Sequence, residues 1–519
     1  MLFTILDCYT DEPSGLGVPP YIGTYPRYIA GAVAEQKQEY EYLTIDDIRY
    51  YVLAKTDKEK IKKLEKAKKT NILVKNRTKS LQEIEQILVK TKVMIVIAGI
   101  HTPGKYLSAQ PGTVAELNRL LPAVKKQLKK FRATKILTGP ATIASGLYGG
   151  RKATFSRGLF DLIVPNIEFK LADLINNRFE EDVQKDFNYS DLRKIAILGA
   201  EIVKKHPDYP EFVIAEIETS RGCFRDSACG FCIEPRKGEA EFRDQKDIID
   251  EMKALSRKKI ANFRLGKQTC IYSYKRTAAE LEKLLKGIRD NVKLNVLHVD
   301  NANPARVTEK KTKLLVNYCT SGNVAAFGIE SFDPAVVEKN NLNSTPEQAY
   351  EAVKIINKHG AKPGSNGLPR FLPGINILFG LTGETKKTNE ENMAWLKKIL
   401  ENGLLLRRIN VREVVIFQGT MMAAAGEEVL KKNKRYYWKW RDKIRKEIDN
   451  PMLKKLTPVG TVMKDVRTEV HDGNYTFGRQ IGTYPLIVGI KQKLKLNEFV
   501  DVNVTGHMLR SVVGSVAKP

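Results

Sequence analysis

Three cysteines fall within ten residues, Cys223, Cys229 and Cys232, in the stretch Glu218-Thr-Ser-Arg-Gly-Cys-Phe-Arg-Asp-Ser-Ala-Cys-Gly-Phe-Cys-Ile-Glu-Pro235. They are half of the chain's six cysteines. Thiolates bind soft and borderline metals. A structural zinc normally takes four ligands. This stretch offers three, and no fourth Cys or His follows nearby; Cys270, Cys319 and His206 qualify only if the fold returns them. A 4Fe-4S cluster can use three protein thiolates and leave one iron open to a substrate or cofactor. On the cysteines alone, zinc, iron–sulfur and redox readings all stay open, with the cluster favoured.

The elements that must position these thiols form a regular rhythm. Apolar segments recur at 212–217, 263–266, 294–299, 324–329, 375–379 and 409–417, with helical patterns at 246–257, 278–287, 308–319, 345–359 and 387–402 between them. The alternation predicts an α/β architecture: a partial parallel (βα)6 barrel over residues 212–422, with its chemistry at the C-terminal ends of the strands. The cysteines follow the first strand. Later strands end in Lys267 and Gln268, in Asp300, Asn301 and Asn303, in Glu330 and Ser331, in Gly380, Gly383 and Glu384, and in Gln418 and Thr420. Any one of these residues could be an ordinary helix cap. Together they predict one polar pocket.

The flanking regions read differently. Residues 1–165 alternate strand, glycine loop and helix, with strands at 2–6, 93–98 and 135–137, and predict a Rossmann-like, doubly wound α/β domain. The mixed-charge run 55–69 reads as one exposed helix. The loop His101-Thr-Pro-Gly104 keeps half of the Asp-x-His-x-x-Gly pattern of a histidine-ligated cobalamin domain, but Gly99 stands where the aspartate would be. Cobalamin is therefore not expected. Residues 166–211 read as a helical connector. Residues 423–459 carry a basic, aromatic helix containing Tyr436-Tyr-Trp-Lys-Trp440, whose rings could stack on bases or pack against the barrel. Residues 460–519 form a small β module of OB-like size, with Tyr475, Phe477, Arg479 and Arg510 as candidates to face a nucleic acid.

Composition sets the class. The chain has 519 residues, 42% hydrophobic and 28% charged, more than one core usually supports. No apolar run approaches the ~20 residues of a membrane helix. The N-terminus lacks the basic start of a signal peptide. A cytoplasmic protein with reduced cysteines and no membrane partner is expected. The net charge of +27 favours a polyanionic partner through phosphate neutralisation, although part of it lies in solvated helices.

The cysteine triad, Phe231 just before its third member, and the six-strand barrel together resemble the radical SAM superfamily. The spacing here is Cys-x5-Cys-x2-Cys, two residues longer in the first interval than that superfamily's usual pattern. The segments Ala326-Phe-Gly-Ile-Glu-Ser331 and Phe379-Gly-Leu-Thr-Gly-Glu384 resemble its fourth- and fifth-strand motifs. The opening from Asp7 to Tyr21, Asn262-Phe-Arg-Leu-Gly-Lys-Gln268, Leu297-His-Val-Asp-Asn-Ala-Asn-Pro304 and Thr476-Phe-Gly-Arg-Gln480 are similar to an uncharacterised archaeal group with a corrinoid-domain-like N-terminus. Members of that group often end in a helix-hairpin-helix, a motif not evident here.

The resemblance implies that Cys223, Cys229 and Cys232 hold a 4Fe-4S cluster. S-adenosylmethionine would chelate the open iron and be cleaved by one electron to a 5′-deoxyadenosyl radical, the electron coming from a carrier such as ferredoxin or flavodoxin. Glu330 and Ser331 would meet the methionine or ribose part, and Gly380, Gly383 and Glu384 the adenine, with Phe231 beside the cofactor. Gln268, Asp300 and Asn301 are candidates for substrate or ribose contacts. The β module resembles the TRAM-like RNA-binding domains of methylthiotransferases, which points to tRNA or another RNA as substrate. A standard methylthiotransferase is disfavoured, because the N-terminal region offers only Cys8 for a second cluster. The alternatives are a corrinoid-assisted or other radical enzyme acting on a protein or small molecule, and a non-catalytic nucleic-acid-binding iron–sulfur protein.

Overall fold

The computed structural model describes every residue except 13–14, 100–106, 143–146, 149–150, 153, 181–182, 184, 186 and 518–519. The loops 99–104 and 139–146, including His101 and Gly104, therefore lie in part outside the described residues. The chain is a mixed α/β protein with parallel sheets and a small closed β-barrel at its C-terminal end. It divides into two compact units: Met1–Glu218 with Arg243–Phe263 and Asn291–Lys293, and Thr219–Phe242 with Arg264–Asp290 and Leu294–Pro519.

These units do not divide at 165, 211 or 422, where the sequence set its boundaries. Two packing features explain the merging of the first 218 residues. Helix Thr24–Glu35 meets helix Tyr189–Leu198 and the turn after it so closely that a Cβ on Gly31 or Gly199 would overlap a backbone carbonyl. Glycine alone permits that approach. Beneath them, Arg27 and Arg243 both pair with the fully buried Glu251, and Arg27 also donates to Glu216 O. This ties helix Gln245–Arg257 to the first unit. Two unlike charges per carboxylate, with further hydrogen bonds, let the charges be buried.

The first unit carries a five-stranded sheet in the order Glu39–Thr44, Leu2–Asp7, Val93–Ile97, Thr134–Thr138, Leu162–Ile163, with the pairing parallel throughout. In chain order this is 2-1-3-4-5, a doubly wound arrangement whose switch point lies between Leu2–Asp7 and Val93–Ile97. At that point Cys8, Tyr9 and Thr10 are buried, and a Cβ at Gly99 would stand 2.7 Å from Thr10 Cβ. The run 55–69 is not one helix. Asp57 ends helix Ile45–Thr56 and caps helix Lys58–Glu65, accepting from Lys60 N at 2.9 Å. Strand Tyr21–Ile22, unforeseen in the sequence, pairs in parallel with Ile214–Glu218, the first of the six expected βα strands.

In the second unit the βα alternation continues. The Asp300 N–H donates to Leu265 O at 3.0 Å, so Val296–Val299 follows beside the end of Asn262–Gly266. A parallel bridge joins Ala302 to Phe327 in strand Asn323–Glu330. That strand pairs in parallel with Phe371–Phe379, which pairs in parallel with Arg408–Glu413. The C-terminal barrel runs Val462–Asp472, Tyr475–Gln480, Val488–Ile490, Val512–Val516, Phe499–His507 and back to its first strand. Met463, Val466, Val488, Ile490, Val502, Val504 and Val512 fill it. Among the described residues no helix is long and apolar enough to cross a membrane.

Candidate functional site

Strand Ile214–Glu218 ends with Glu218 Oε1 accepting from the Tyr189 hydroxyl at 2.9 Å. The chain then enters the cysteine loop. The loop's ends are joined by an antiparallel pairing of Ser220–Arg221 with Glu241–Phe242. Gly222, at φ +74°, lies where a Cβ would stand 2.9 Å from Ala240 Cα, so both its conformation and its surroundings favour glycine. The Phe224 and Phe242 rings stack with centroids 3.8 Å apart. Between these anchors Cys223, Cys229 and Cys232 are free thiols and partly exposed, whereas Cys8, Cys270 and Cys319 are buried.

The loop is clamped to the turn after helix Pro334–Lys339. Gly230 N donates to Asn340 O at 2.8 Å, and Asn341 Nδ2 donates to Ser227 Oγ at 2.7 Å and Ala228 O at 2.8 Å. Arg225 donates to Cys229 Sγ at 3.0 Å, Asn341 O at 2.9 Å, Asn341 Oδ1 at 3.3 Å and Leu342 O at 3.2 Å. Asn340 extends the clamp to the fifth-strand turn, donating to Thr382 O at 2.8 Å and accepting from Thr382 N at 3.1 Å. Met422 N donates to Gly230 O at 2.9 Å from the other side. Phe231 packs among Val336, Leu342, Leu381, Val414, Ile416 and Met422, which makes its ring part of the loop's apolar footing.

Burial pushes the Cys229 thiol up to about 11, opposed by the Arg225 guanidinium, and the Cys232 thiol up to about 12, helped by Glu234. Both are neutral thiols at pH 7 and become ligands by losing protons to a metal. Among the described residues no three His, Cys, Asp or Glu side chains converge as the ligands of one metal ion do. A four-iron cluster takes each thiolate on a separate iron, so three thiols presented by one loop suit it.

The expected cofactor residues divide into two groups. Glu330 has φ +66° and is buried; its Oε2 has no partner, and neither do the buried Asn343 Oδ1 and Ser344 Oγ. A Cβ at Gly328 would lie 2.9 Å from Glu330 Oε1 and 3.6 Å from Asn343 Nδ2, so those two side chains flank the same glycine. Burial raises the Glu330 carboxyl to about 8, with Arg412 acting against the shift. Such a collection of unsatisfied polar atoms is what a bound polar ligand would complete. Ser331 is otherwise engaged, since its hydroxyl accepts from Asp333 N at 3.1 Å ahead of the next helix. Gly380 and Gly383 have φ of +92° and +82°. Glu384 Oε2 accepts from Gly380 N and Leu381 N, holding that turn, while its buried Oε1 is unpartnered. Burial raises this carboxyl to about 7.

The expected substrate residues are committed inside the protein. Gln268, 2% exposed, accepts from Thr219 Oγ1 and donates to Leu265 O at 3.1 Å and Asp300 O at 2.9 Å. Asp300, also 2% exposed, pairs with Arg264 and accepts from the Tyr484 hydroxyl at 2.8 Å. Asn301, at φ +47°, donates to Gln268 O at 2.9 Å. These three brace the strand ends, with the side-chain hydrogen bonds of Gln268 and Asp300 made inside the protein. The clamp residues Arg225, Asn340 and Asn341 were not anticipated. The lengthened Cys223–Cys229 interval was the signal that this part of the loop does something particular.

The exposed surface of the second unit concentrates positive charge beside aromatic rings. Helix Glu428–Ile444 turns Tyr437 and Trp440 inward and leaves Trp438 64% exposed. Lys431, Lys434 and Arg435 are exposed in the two turns that precede Trp438, and the Arg441 guanidinium lies 4.5 Å from its ring. On the C-terminal barrel Tyr475 and Phe477 stack with centroids 5.8 Å apart, and Phe477 lies over Gly489, where a Cβ would be 3.0 Å from the ring. Lys491 and Lys493 are exposed on the following segment. Arg479 and Arg510 are instead paired with Glu469 and Asp449, so two of the four residues expected to face a nucleic acid are engaged within the protein.

The family model for the radical SAM superfamily matches residues 217–396. An uncharacterized protein of Methanocaldococcus jannaschii is 44% identical over 547 residues, covering 99% of this chain and 93% of that protein. An uncharacterized protein of Archaeoglobus fulgidus is 38% identical, covering 99% of this chain and 89% of its own length. Among solved structures, the apo form of the cobalamin-dependent S-adenosylmethionine radical enzyme OxsB is similar with a TM-score of 0.51 at 12% identity, covering 83% of this chain and 55% of that one. The radical S-adenosylmethionine methyltransferase TsrM from Kitasatospora setae, with cobalamin and a 4Fe-4S cluster bound, has a TM-score of 0.50 at 14% identity, covering 81% and 76%. At these identities the likeness is one of fold.

Proposed function

The chain belongs to the radical SAM superfamily, and on that premise we propose that it cleaves S-adenosylmethionine reductively at a 4Fe-4S cluster in order to modify an RNA, with tRNA as the leading candidate. Cys223, Cys229 and Cys232 would hold the cluster. When bound, the cluster would supply the one-electron reduction that S-adenosylmethionine cleavage requires, and with it a radical able to take a hydrogen atom from the substrate. The rest falls to the protein's own groups. The clamp from Asn340 and Asn341 fixes the loop. Glu330 sits buried and neutral at pH 7, so its carboxyl can exchange hydrogen bonds with a ribose hydroxyl without leaving a bare charge. Gly380 and Gly383 hold the fifth-strand turn at positive φ, packed against Leu430 and Lys339, which leaves no room there for a larger residue.

The RNA part of the reading is carried by Trp438. A tryptophan 64% exposed, on a helix face with Lys431, Lys434, Arg435 and Arg441, offers a base a stacking surface and its phosphates a counter-charge. The OB-like barrel, with its Tyr475–Phe477 platform and exposed lysines, supports the same reading. Mass spectrometry of tRNA nucleosides from cells with and without the gene tests it. A nucleoside lost on deletion is expected; an unchanged profile in tRNA and other RNA overturns the RNA substrate. Anaerobically reconstituted protein whose cluster EPR signal does not respond to S-adenosylmethionine overturns the chemistry.

A second reading is favoured by the 2-1-3-4-5 parallel sheet of the first unit together with the cobalamin-dependent enzymes of like fold. A corrinoid held there would make the reaction a methyl transfer, to a protein or small molecule as readily as to RNA. Cobalt retained in stoichiometric amount after reconstitution with hydroxocobalamin would support it, and cobalt washed away on gel filtration would exclude it.

A further inference from the structure

The five residues between Cys223 and Cys229 contain one side chain that touches a candidate cluster ligand. Arg225 is aimed at Cys229 Sγ, 3.0 Å away, and its two terminal nitrogens also donate to the Asn341 and Leu342 carbonyls and to Asn341 Oδ1. Neutral oxygens hold it, and no carboxylate is among these partners. Its positive charge is therefore not cancelled by its own anchors. A guanidinium keeps that charge at any pH a protein survives, and its rigid fork loses little freedom when several donors are bound at once.

We propose that Arg225 is the positioning residue of the cluster, holding Cys229 in place and, as a fixed cation at a ligand sulfur, setting the reduction potential. The inference rests on the radical SAM reading above. Reduction adds one negative charge to the cluster, and a nearby cation stabilises the reduced form more than the oxidised form. Hydrogen bonds to cluster sulfurs and local net charge are the protein's principal means of moving such potentials. Arg225 therefore makes the cluster easier to reduce. The same side chain joins the cysteine loop to Asn341, which also holds Ser227 and Ala228, so the site's position and its potential depend on one residue.

The test is an anaerobic redox titration of the reconstituted full-length protein, followed by the EPR signal of the reduced cluster, with iron content measured on the same samples. Arg225→Gln keeps hydrogen-bond donors and removes the charge; Arg225→Lys keeps the charge. The expected order is wild type close to Arg225→Lys, both above Arg225→Gln. At the wild-type midpoint the Gln variant should show about tenfold less reduced than oxidised cluster, the ratio given by 59 mV for one electron. A Gln variant with full iron and an unmoved midpoint overturns the proposal. If the Gln variant cannot hold four irons, Arg225→Lys decides: a wild-type midpoint supports the role of charge, and a lowered midpoint or lost iron refutes it. Failure of the wild type itself to assemble a cluster would instead overturn the radical SAM reading.

Discussion

The Tyr484 hydroxyl donates to Asp300 Oδ1 at 2.8 Å, linking the segment after the second barrel strand to the end of strand Val296–Val299. The Arg408 guanidinium lies 4.0 Å from the Tyr484 ring, and Arg264 pairs with the same aspartate. Asp300 thus neutralises a buried cation and anchors a tyrosine 184 residues away. Asp300→Asn should destabilise the protein by about 3–5 kcal/mol, the cost of depriving a buried charge of its counter-ion. Tyr484→Phe should lose only about 1 kcal/mol, the usual worth of one hydrogen bond. Urea unfolding of the two variants measures the difference. Equal losses would contradict the ion-pair role.

The cysteine assignment has an internal control. Ala at Cys223, Cys229 or Cys232 should reduce bound iron and abolish 5′-deoxyadenosine formation. Cys270→Ala should do neither, since the buried Cys270 Sγ is occupied in accepting from Asn303 N at 3.2 Å. Loss of iron in the Cys270 variant would mean that the ligand set is incomplete.

Glu330 makes stability depend on pH in a stated direction. Its folded carboxyl titrates at about 8 against 4.5 for the ordinary group. Between those values the folded protein holds a proton that the unfolded chain has released. Stability contributed by this group is therefore complete below pH 4.5 and declines as pH rises toward 8. The slope is roughly 1.4 kcal/mol per pH unit for one fully differing proton. In cofactor-free protein, Glu330→Gln should raise the melting temperature relative to wild type at pH 8, with the gap closing near pH 5. A gap that widens toward acid would refute the buried, neutral carboxyl.

The parts of this molecule that were readable beforehand are those written in local order. The thiol spacing and the strand–helix alternation after residue 212 rest on neighbours within a few residues, and periodicity reports them directly. What the sequence left hidden depends on distant partners. Gln268 and Asp300 look like pocket residues until Thr219 and Tyr484 are brought to them, from 49 and 184 residues away. Strand Glu39–Thr44 was hidden because Glu alternates with Tyr at its start, so its buried half is only three residues long. Nor could periodicity show that Glu251, far along the chain, receives Arg27 and joins its helix to the first unit. Trp438 and Trp440 could not be assigned to opposite faces until the register of the helix was known.

That register separates the two neighbouring rings. With Trp438 exposed and Tyr437 turned inward, its hydroxyl donating to Val411 O at 3.2 Å, the two rings should affect RNA differently. Trp438→Ala should weaken binding of a single-stranded RNA by roughly 5- to 150-fold, the 1–3 kcal/mol of one stacked base. It should leave the melting temperature nearly unchanged, because an exposed side chain contributes little to stability. Tyr437→Phe should leave RNA affinity intact. Reversing Lys434 and Arg435 to Glu should flatten the dependence of affinity on salt, since fewer phosphates would then be neutralised. Fluorescence anisotropy at 50 and 200 mM salt reads all three effects (~10³–10⁵ is the span for six to ten phosphate contacts). RNA binding indifferent to Trp438 and to salt would remove this helix face as the contact and leave the barrel platform of Tyr475 and Phe477 to carry it.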